Sequence, residues 1–268
     1  ATACAGVPTT YALLGRLPEE LTAGLDVGAL ETAVCAGAPL ATTIRRRFRE
    51  RFGAPVLDCY GITEAAGNLT GSLRYGETPE LSCGLPYPMT EIRVVDGADD
   101  DVPVGEVGEL IARGPQIMTE YWERPEATAS TLRGGWLHTG DLARRDEAGY
   151  LYIVDRKNDM IITGGYNVYP AEIEEVLASH PDVALCAAFG VEDPIKGEKP
   201  WAAVVPASGE LDVEALDAYV RARLSRYKVP RRYVVVDDIP RSSVGKLLRR
   251  ELRARFSPTA TPPADATV

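Results

Sequence analysis

Four short motifs follow one another along the chain, and their order constrains the fold more than any other feature of the sequence. They are YGITEAAG (60–67), GWLHTGD (135–141), IVDRKNDMIITGGYNVYPAEIEEVL (153–177) and PRSSVGK (240–246). A single short motif recurs by chance, but four in one order, with the second and third nearly continuous, are a strong signal. We therefore expect one architecture to account for most of the chain.

The composition is that of a globular protein and argues against several kinds of partner. The 268 residues are enough for one large or two modest domains. The net charge of −10 argues against a general nucleic-acid or anionic-membrane surface. No apolar run approaches the roughly 20 residues that span a bilayer. We expect no nucleic-acid partner and no transmembrane segment.

The cysteines and histidines do not form a recognisable metal or disulfide pattern. The five cysteines are scattered without a Cys-x-x-Cys pair, and the only histidines are His138 and His180. This spacing fits neither a metal cluster nor a disulfide framework. It predicts free thiols in a reducing compartment and therefore a cytoplasmic location.

The first part of the chain predicts a helix and then short strands. Residues 39–52 carry an apolar stripe at helical spacing, and Gly53 is suited to end the helix. The stripe consists of Leu40, Ile44, Phe48 and Phe52. A buried strand should start at Val56. From 81 to 154, strands such as EIRVV, GELIA and YLYIV alternate with Gly and Pro, which predicts a compact β subdomain.

The pattern changes after Arg156 to an alternation of strands and helices. A helix should begin at Pro170, and Asp212 is suited to cap a second helix over 211–227. The segments 183–190, 201–206 and 233–240 are typical of strands, and a basic helix should follow Lys246. The final segment, FSPTATPPADATV, has nothing to bury and is expected to be disordered.

The four motifs, in this order, resemble the adenylate-forming superfamily of acyl-CoA synthetases, aryl-acid ligases, luciferases and peptide-synthetase adenylation domains. The resemblance covers about residues 30–255. The family's nucleotide-phosphate loop, a Ser/Thr/Gly-rich loop that ends in Lys, does not occur in the sequence. The chain is therefore expected to correspond to the C-terminal half of such an enzyme, and the isolated chain to be inactive.

The resemblance implies a fold that combines α/β and α+β parts. Residues 1–157 would form the end of a large α/β domain for AMP binding, with a β-barrel-like subdomain over about 80–157. Residues 158–255 would form a small, mobile α+β domain that acts as a lid. Residues 256–268 would be a disordered tail.

The resemblance assigns the nucleotide site first to YGITE. Tyr60 and Gly61 would hold adenine, Thr63 would contact phosphate and act in catalysis, and Glu64 would act in catalysis and bind Mg²⁺. A flat ring suits a base, and a carboxylate oxygen suits Mg²⁺. Without the other motifs, the same residues would be interpreted as an ordinary exposed turn.

Further nucleotide contacts are implied elsewhere in the chain. Adenine would lie on Gly37, Ala38 and Pro39, where small residues let the backbone approach a flat ligand, although a simple helix-start turn explains them nearly as well. Asp141 would bind the ribose hydroxyls, and Arg156 would bind the ribose or phosphate. His138 is interpreted as structural.

Lys246 would be the cation that acts on the phosphate during adenylation, since the family places its adenylation lysine in this motif. Gly245 permits a tight loop with a flexible ammonium group at its tip. The alternative is that Lys246 is one more charge on a solvated basic helix face.

Gly164, Gly165 and Tyr166 would line the site of the second half-reaction, in which CoA attacks. In the family the small domain rotates about a hinge two residues after the ribose-binding arginine. That position is Asn158 here, where the family usually has Asp or Lys. An amide side chain still tolerates unusual dihedral angles.

The implied function is an ATP-dependent carboxylic acid:CoA ligase that uses ATP, Mg²⁺ and CoA. Small side chains over 65–68 favour a fatty, aryl or bulky cyclic monocarboxylic acid, and no basic residue there receives a second carboxylate. The alternatives are an adenylation domain that loads a carrier-protein thiol, and an inactive fragment or split subunit. The other partners considered are an N-terminal half on a separate chain and a second copy in a homodimer.

Overall fold

The computed structural model describes residues 1–37, 40–76, 78–242 and 247–256. The chain divides into two compact units, Ala1–Val154 and Asp155–Val268. The predicted boundary at 157/158 lies three residues farther along the chain. The division falls earlier because the Asp155 carboxylate already accepts a hydrogen bond from the backbone N–H of Ala171, in the first turn of a helix of the second unit.

The first unit contains a mixed sheet whose strands run in the order β1-β2-β3-β4-β5. The first three strands are parallel, whereas β4 and β5 are antiparallel to their neighbours. The strands are β1 (Ala3–Gly6), β2 (Thr32–Cys35), β3 (Val56–Ile62), β4 (Gly67–Gly71) and β5 (Leu85–Pro86). Since parallel strands end at one edge of a sheet, the residues after β2 and β3 lie at the edge where ligands bind in such folds.

Two helices, α1 (Pro8–Arg16) and α2 (Thr42–Phe52), accompany this sheet. The ring of Phe48 on α2 packs edge-on against Tyr11 of α1, with ring centroids 5.0 Å apart. Gly53 ends α2 in the left-handed conformation, with φ of 74°. The helix begins at Thr42, later than predicted, because Ala41 is still extended and its carbonyl accepts the first helical hydrogen bonds.

An antiparallel meander follows in the first unit, in the order β6-β7-β8-β9. Its strands are β6 (Glu91–Val95), β7 (Gly108–Arg113), β8 (Leu137–Arg145) and β9 (Leu151–Arg156), and helix α3 (Pro125–Thr131) precedes β8. A bridge between Gly84 and Leu151 links the meander to the segment before β5. Within the described ranges no pairing joins β6 to β9, so this sheet by itself is open and does not close into the predicted barrel.

The second unit is built on a five-stranded sheet. Four of its strands follow the order β11-β10-β13-β12, and the fifth, β14, also pairs with β13. Its strands are β10 (Ile161–Thr163), β11 (Tyr166–Val168), β12 (Val183–Asp193), β13 (Gly197–Pro206) and β14 (Tyr233–Val235). Its helices are α4 (Pro170–Ala178), α5 (Val213–Arg221) and α6 (Arg249–Phe256). Alternate residues of β12 and β13 face α4 and α5 on one side and α6 on the other.

Two predictions about this unit need correction. Helix α5 is capped by Asp212, as predicted, but it ends at Arg221 and not near 227. Phe256, predicted to begin the disordered tail, is the last residue of α6, because its ring finds an apolar partner in Phe189, 6.3 Å away. The rest of the predicted tail lies outside the described residues. The structure confirms a mixed α/β fold.

Candidate active site

The motif YGITEAAG forms the tight connection between β3 and β4. Residues Thr63–Ala65 make a single 3₁₀ turn, and Ala66 and Gly67 follow with positive φ. The pairing of β3 with β4 shifts register between Tyr60 and Gly61. A register shift of this kind bends the strand locally and changes the direction of the side chains next to it.

Gly61, near the end of β3, has no room for a side chain. A Cβ atom built on Gly61 would lie 1.9 Å from the carbonyl oxygen of Gly67 and 2.6 Å from Cα of Asn68. Both contacts are with backbone, which cannot move aside as a flexible side chain can. The close approach of β3 and β4 therefore requires glycine at this position.

Tyr60 and Asp141, predicted for adenine and ribose respectively, are in direct contact. The hydroxyl of Tyr60 donates a hydrogen bond to Oδ2 of Asp141, with 2.6 Å between the oxygens. Burial raises the pKa of Tyr60 well above its usual value, and the Asp141 carboxylate raises it further. Tyr60 therefore stays protonated, and its hydroxyl donates to the Asp141 carboxylate.

Asp141 lies within strand β8, next to a backbone kink. Gly140 has φ of +70°, and its N–H donates to the buried carboxylate of Glu109 on β7 at 3.2 Å. The N–H of Asp141 itself donates to Thr139 Oγ1, and that hydroxyl donates to the carbonyl of Leu110. The orientation of the Asp141 carboxylate is thus fixed from both its backbone and its side chain.

Glu64 has one carboxylate oxygen engaged by a residue that the sequence did not single out. The hydroxyl of Tyr121 donates to Oε1 of Glu64 at 2.6 Å, and the carbonyl of Glu64 accepts from the N–H of Met118 at 2.7 Å. Among the described residues, no hydrogen bond engages Oε2. A hard oxygen donor with one unengaged oxygen fits Mg²⁺, which is usually bound by one or two carboxylates together with substrate phosphates.

The other predicted residues of the first unit are only partly described. Thr63 is exposed on the same turn as Glu64. Gly37, with φ of +88°, follows β2 and lies two residues beyond the Cys35–Asp58 pair, at the edge where Tyr60 follows on β3. Ala38 and Pro39 lie outside the described residues.

In the second unit, Arg156 and Asn158 lie at the start of a hydrogen-bonded turn. The carbonyl of Arg156 accepts from the N–H groups of Asp159 and Met160, at 3.0 and 3.1 Å. The carbonyl of Asn158 accepts from the guanidinium of Arg253 on α6 at 3.5 Å. The side chain of Arg156 is exposed. The assignment of Asn158 as a hinge stays a prediction.

Gly164 and Gly165 form a two-residue hairpin turn between β10 and β11. Both have positive φ, 58° and 85°, which this type of turn requires. The turn presents Tyr166, whose side chain is 58% exposed and whose ring stacks on Tyr227 at 4.6 Å. The role of these residues toward a thiol substrate stays a prediction.

Lys246 lies outside the described residues, but the residues that flank it are ordered by pairing. Arg241 and Leu247 form an antiparallel bridge, and the N–H of Leu248 donates to the carbonyl of Pro240 at 2.9 Å. Arg249, three residues after the lysine, donates from its guanidinium to the half-buried carboxylate of Glu174 at 2.8 Å. The described residues on the two sides of Lys246 are therefore paired with each other.

Tyr121 and Glu109 are the functional candidates that sequence reasoning missed. Glu109 is a charged residue beside the apolar run Leu110–Ala112 of β7, and a charge at a buried strand position is a usable signal of a buried polar contact. Tyr121 gives no comparable signal, because it stands in an irregular segment. Within the described residues, no group of three or more His, Cys, Asp or Glu side chains is placed to hold a metal.

Comparison with known families matches both parts of the chain. The family model described as AMP-binding enzyme matches residues 1–122, and the model described as AMP-binding enzyme C-terminal domain matches residues 172–246. A feruloyl-CoA synthase from Amycolatopsis sp. is 43% identical over 253 residues, which cover 94% of this chain and 51% of that protein. A long-chain-fatty-acid–CoA ligase from Escherichia coli O6:H1 is 42% identical over 252 residues, which cover 94% of this chain and 45% of that protein.

A solved structure gives the same match in three dimensions. It is o-succinylbenzoate coenzyme A synthetase from Bacillus subtilis, in complex with ATP and magnesium ion. The TM-score is 0.81 at 34% sequence identity, over 94% of this chain and 51% of that one. The chain spans about half the length of the curated relatives that it matches. No helix in the described part of the chain has the length and apolar character that a membrane crossing needs.

Proposed function

This chain belongs to the AMP-binding enzyme superfamily and corresponds to its C-terminal portion, and from that premise we propose that it is part of an ATP-dependent carboxylic acid:CoA ligase. The observation that best supports this function is the hydrogen bond between Tyr60 and Asp141. It joins two motifs 81 residues apart in sequence and presents an oriented carboxylate, a group that can accept from two adjacent ribose hydroxyls.

In the first half-reaction, a carboxylate oxygen of the acid attacks the α-phosphorus of ATP. The bond from that phosphorus to the bridging oxygen breaks, and pyrophosphate leaves with the bonding electrons. Most of the catalysis in such a transfer is positioning and electrostatic stabilisation. Tyr60 and Gly61 would hold adenine, Asp141 the ribose, and Thr63 a phosphate oxygen, while Lys246 would neutralise charge that develops on the phosphate.

Magnesium would be held by Glu64 together with phosphate oxygens. When bound, it neutralises phosphate charge and so lowers the cost of bringing a carboxylate to ATP. Among the described residues Glu64 has no acidic, histidine or cysteine cluster around it, which suits a metal that is shared with a nucleotide.

In the second half-reaction, the thiolate of CoA attacks the acyl carbon, and AMP leaves with the oxygen that came from the acid. Gly164, Gly165 and Tyr166 would line the path of the thiol, and Asn158 would change conformation between the two steps. CoA is preferred over a carrier-protein thiol because the two relatives compared above carry names of CoA-thioester-forming enzymes.

The acid is proposed to be a fatty, aryl or bulky cyclic monocarboxylic acid. Ala66 and Gly67, both exposed on the turn that carries Glu64, add almost no side-chain volume. Small residues there leave space for a large acyl group. The relatives compared above, named for feruloyl and for long-chain fatty acyl substrates, span the same range of size.

A screen of carboxylic acids with the full-length protein that carries this chain tests the function. Pyrophosphate release is measured with ATP and Mg²⁺ for hydroxycinnamic acids, C8–C18 fatty acids and dicarboxylic acids, with and without CoA. We expect pyrophosphate release with at least one large monocarboxylic acid, and a CoA thioester by chromatography. Pyrophosphate release without any CoA thioester, even when CoA is present, would favour the carrier-loading alternative. No release with any acid would contradict the proposal.

A further inference from the structure

Both the backbone carbonyl and the side chain of Glu64 accept hydrogen bonds, and the side-chain donor is a tyrosine outside the four motifs. The backbone carbonyl of Glu64 accepts from the N–H of Met118, and its Oε1 accepts from the hydroxyl of Tyr121 at 2.6 Å. Segment 118–121 therefore lies along the turn that carries the proposed magnesium ligand, although 57 residues separate Tyr121 from Glu64 in sequence.

The backbone of Tyr121 is itself anchored by a hydrogen bond, so its hydroxyl approaches Glu64 from a defined direction. Its backbone N–H donates to Thr128 Oγ1 at 2.9 Å, and that hydroxyl donates to the carbonyl of Arg124 at the start of helix α3. Its ring is half-buried. The Tyr121 hydroxyl is the donor of the hydrogen bond to Glu64, because an ionised carboxylate can only accept.

The hydrogen bond from Tyr121 makes the two carboxylate oxygens of Glu64 inequivalent. With Oε1 engaged by Tyr121, the oxygen that no hydrogen bond among the described residues engages is Oε2. Mg²⁺ demands near-ideal octahedral geometry and keeps several waters, so a ligand that offers one oxygen at a fixed orientation suits it better than a freely rotating carboxylate. Partners that orient a ligating side chain typically contribute 10- to 100-fold to metal affinity.

We infer that Tyr121 is a positioning residue for magnesium: its hydroxyl holds Oε1 of Glu64 and so leaves Oε2 as the single oxygen offered to the metal. This inference rests on the proposed function, because Glu64 has a metal to bind only if the protein binds ATP with Mg²⁺. It assigns a role in metal affinity to a residue outside the four motifs.

The test is the affinity for Mn²⁺ as a paramagnetic stand-in for Mg²⁺, measured by electron paramagnetic resonance on the full-length protein with saturating ATP. The variant is Tyr121→Phe, which keeps the ring and removes only the hydroxyl. The matched control is Tyr152→Phe, which removes a similar tyrosine-to-carboxylate hydrogen bond, 2.9 Å to Asp146, away from the proposed site. Metal-free ATP binding by calorimetry and the melting temperature are recorded for each protein.

We expect Tyr121→Phe to weaken Mn²⁺ binding about 10-fold, with metal-free ATP binding and melting temperature close to those of the control. In Glu64→Gln, which alters the ligand, adding Tyr121→Phe should have little further effect on Mn²⁺ affinity. Unchanged Mn²⁺ affinity in Tyr121→Phe would overturn the inference, and so would equal losses in Tyr121→Phe and Tyr152→Phe. If the wild-type protein binds ATP but binds no Mn²⁺, the inference is overturned and the proposed function is not. If the wild-type protein binds no ATP, the proposed function is overturned as well.

Discussion

At the scale of single residues, Gly61 lies in a crowded position and Gly97 in an open one, so the same substitution to alanine can be compared at the two sites. A side chain at Gly61 would collide with the backbone of Gly67 and Asn68, whereas one at Gly97 would meet nothing within 4 Å. The φ angle of Gly97 is also outside the left-handed region, so its backbone conformation does not disfavour a side chain. The contrast allows the geometry of the β3–β4 turn to be tested without changing any polar group.

Gly61→Ala should destabilise the first unit by about 1–3 kcal/mol, because β3 and β4 must separate to admit the methyl group. The same displacement should move Tyr60 from Asp141 and raise the KM for ATP. Gly97→Ala should leave both properties unchanged. Urea denaturation and ATP-dependent pyrophosphate release on the full-length protein measure these effects, and similar behaviour of the two variants would contradict the assigned strand packing.

Lys246 is tested against its neighbour in the basic run, Arg250, which is exposed on α6. Lys246→Ala should lower the rate of acyl-adenylate formation on the order of 10²–10³-fold, as expected for a lost contact with developing charge. Thioester formation from supplied acyl-adenylate should fall far less, and Arg250→Ala should affect neither step. Equal effects of the two substitutions would mean that Lys246 is only one charge on a solvated face.

At the scale of elements, a half-buried ion pair joins α6 to α4 in the second unit. Arg249 donates to Glu174 at 2.8 Å, to Asp159 at 3.3 Å and to the carbonyl of Ala188 at 3.2 Å. Burial raises the pKa of Glu174, and Arg249 opposes this rise. Arg249 therefore stabilises the ionised form of Glu174 and anchors the first turn of α6.

Arg249→Met should destabilise the second unit by about 1.5–3 kcal/mol, because the half-buried Glu174 carboxylate loses its charge-assisted hydrogen bonds. The double variant Arg249→Met/Glu174→Met should recover much of this loss, and Arg250→Met should change stability little. Hydrogen exchange of the β12 and β13 amides reports the stability of this unit directly. If Arg249→Met and the double variant exchange at the same rate, the ion pair is not what holds α6 in place.

How far the sequence predicts these elements depends on whether the signal is local. The stripe of α2, the end at Gly53 and the cap at Asp212 were predicted correctly, since each depends on neighbours a few residues away. The turn at Gly164 and Gly165 follows from their conformational freedom. Tyr121 could not be predicted, because its partner Glu64 is brought to it only by tertiary packing. GWLHTGD was recognised as a motif but not as strand β8, since Gly140 interrupts the alternation.

For the whole molecule, buried thiols and tyrosines make stability sensitive to alkaline pH. Burial raises the pKa of Cys83 to about 11 and that of Cys35 to about 12, where the Asp58 carboxylate adds to the effect. In the unfolded chain a thiol ionises near pH 8.5. The folded state therefore binds more protons above that pH, so this part of the stability is complete below about pH 8.5 and is lost as pH rises.

The free energy of unfolding of the first unit should fall between about pH 8.5 and 11, by up to roughly 1.4 kcal/mol per pH unit for each such thiol. Cys83→Ala should flatten this dependence at the cost of some stability at neutral pH. The measurement is urea denaturation followed by tryptophan fluorescence in a Trp201→Phe background, which leaves the two tryptophans of the first unit. An unchanged slope in Cys83→Ala would contradict the assigned burial of this thiol.

The central proposal, that this chain serves an enzyme that activates a carboxylic acid as its adenylate, is tested most directly by isotope transfer. The full-length protein is incubated with ATP, Mg²⁺, CoA and an accepted acid labelled with ¹⁸O in its carboxylate, and the products are analysed by mass spectrometry. Since the acid oxygen forms the new bond to the α-phosphorus and leaves with AMP, we expect one ¹⁸O atom in each AMP. Unlabelled AMP, or label in inorganic phosphate released with ADP, would contradict the proposed reaction.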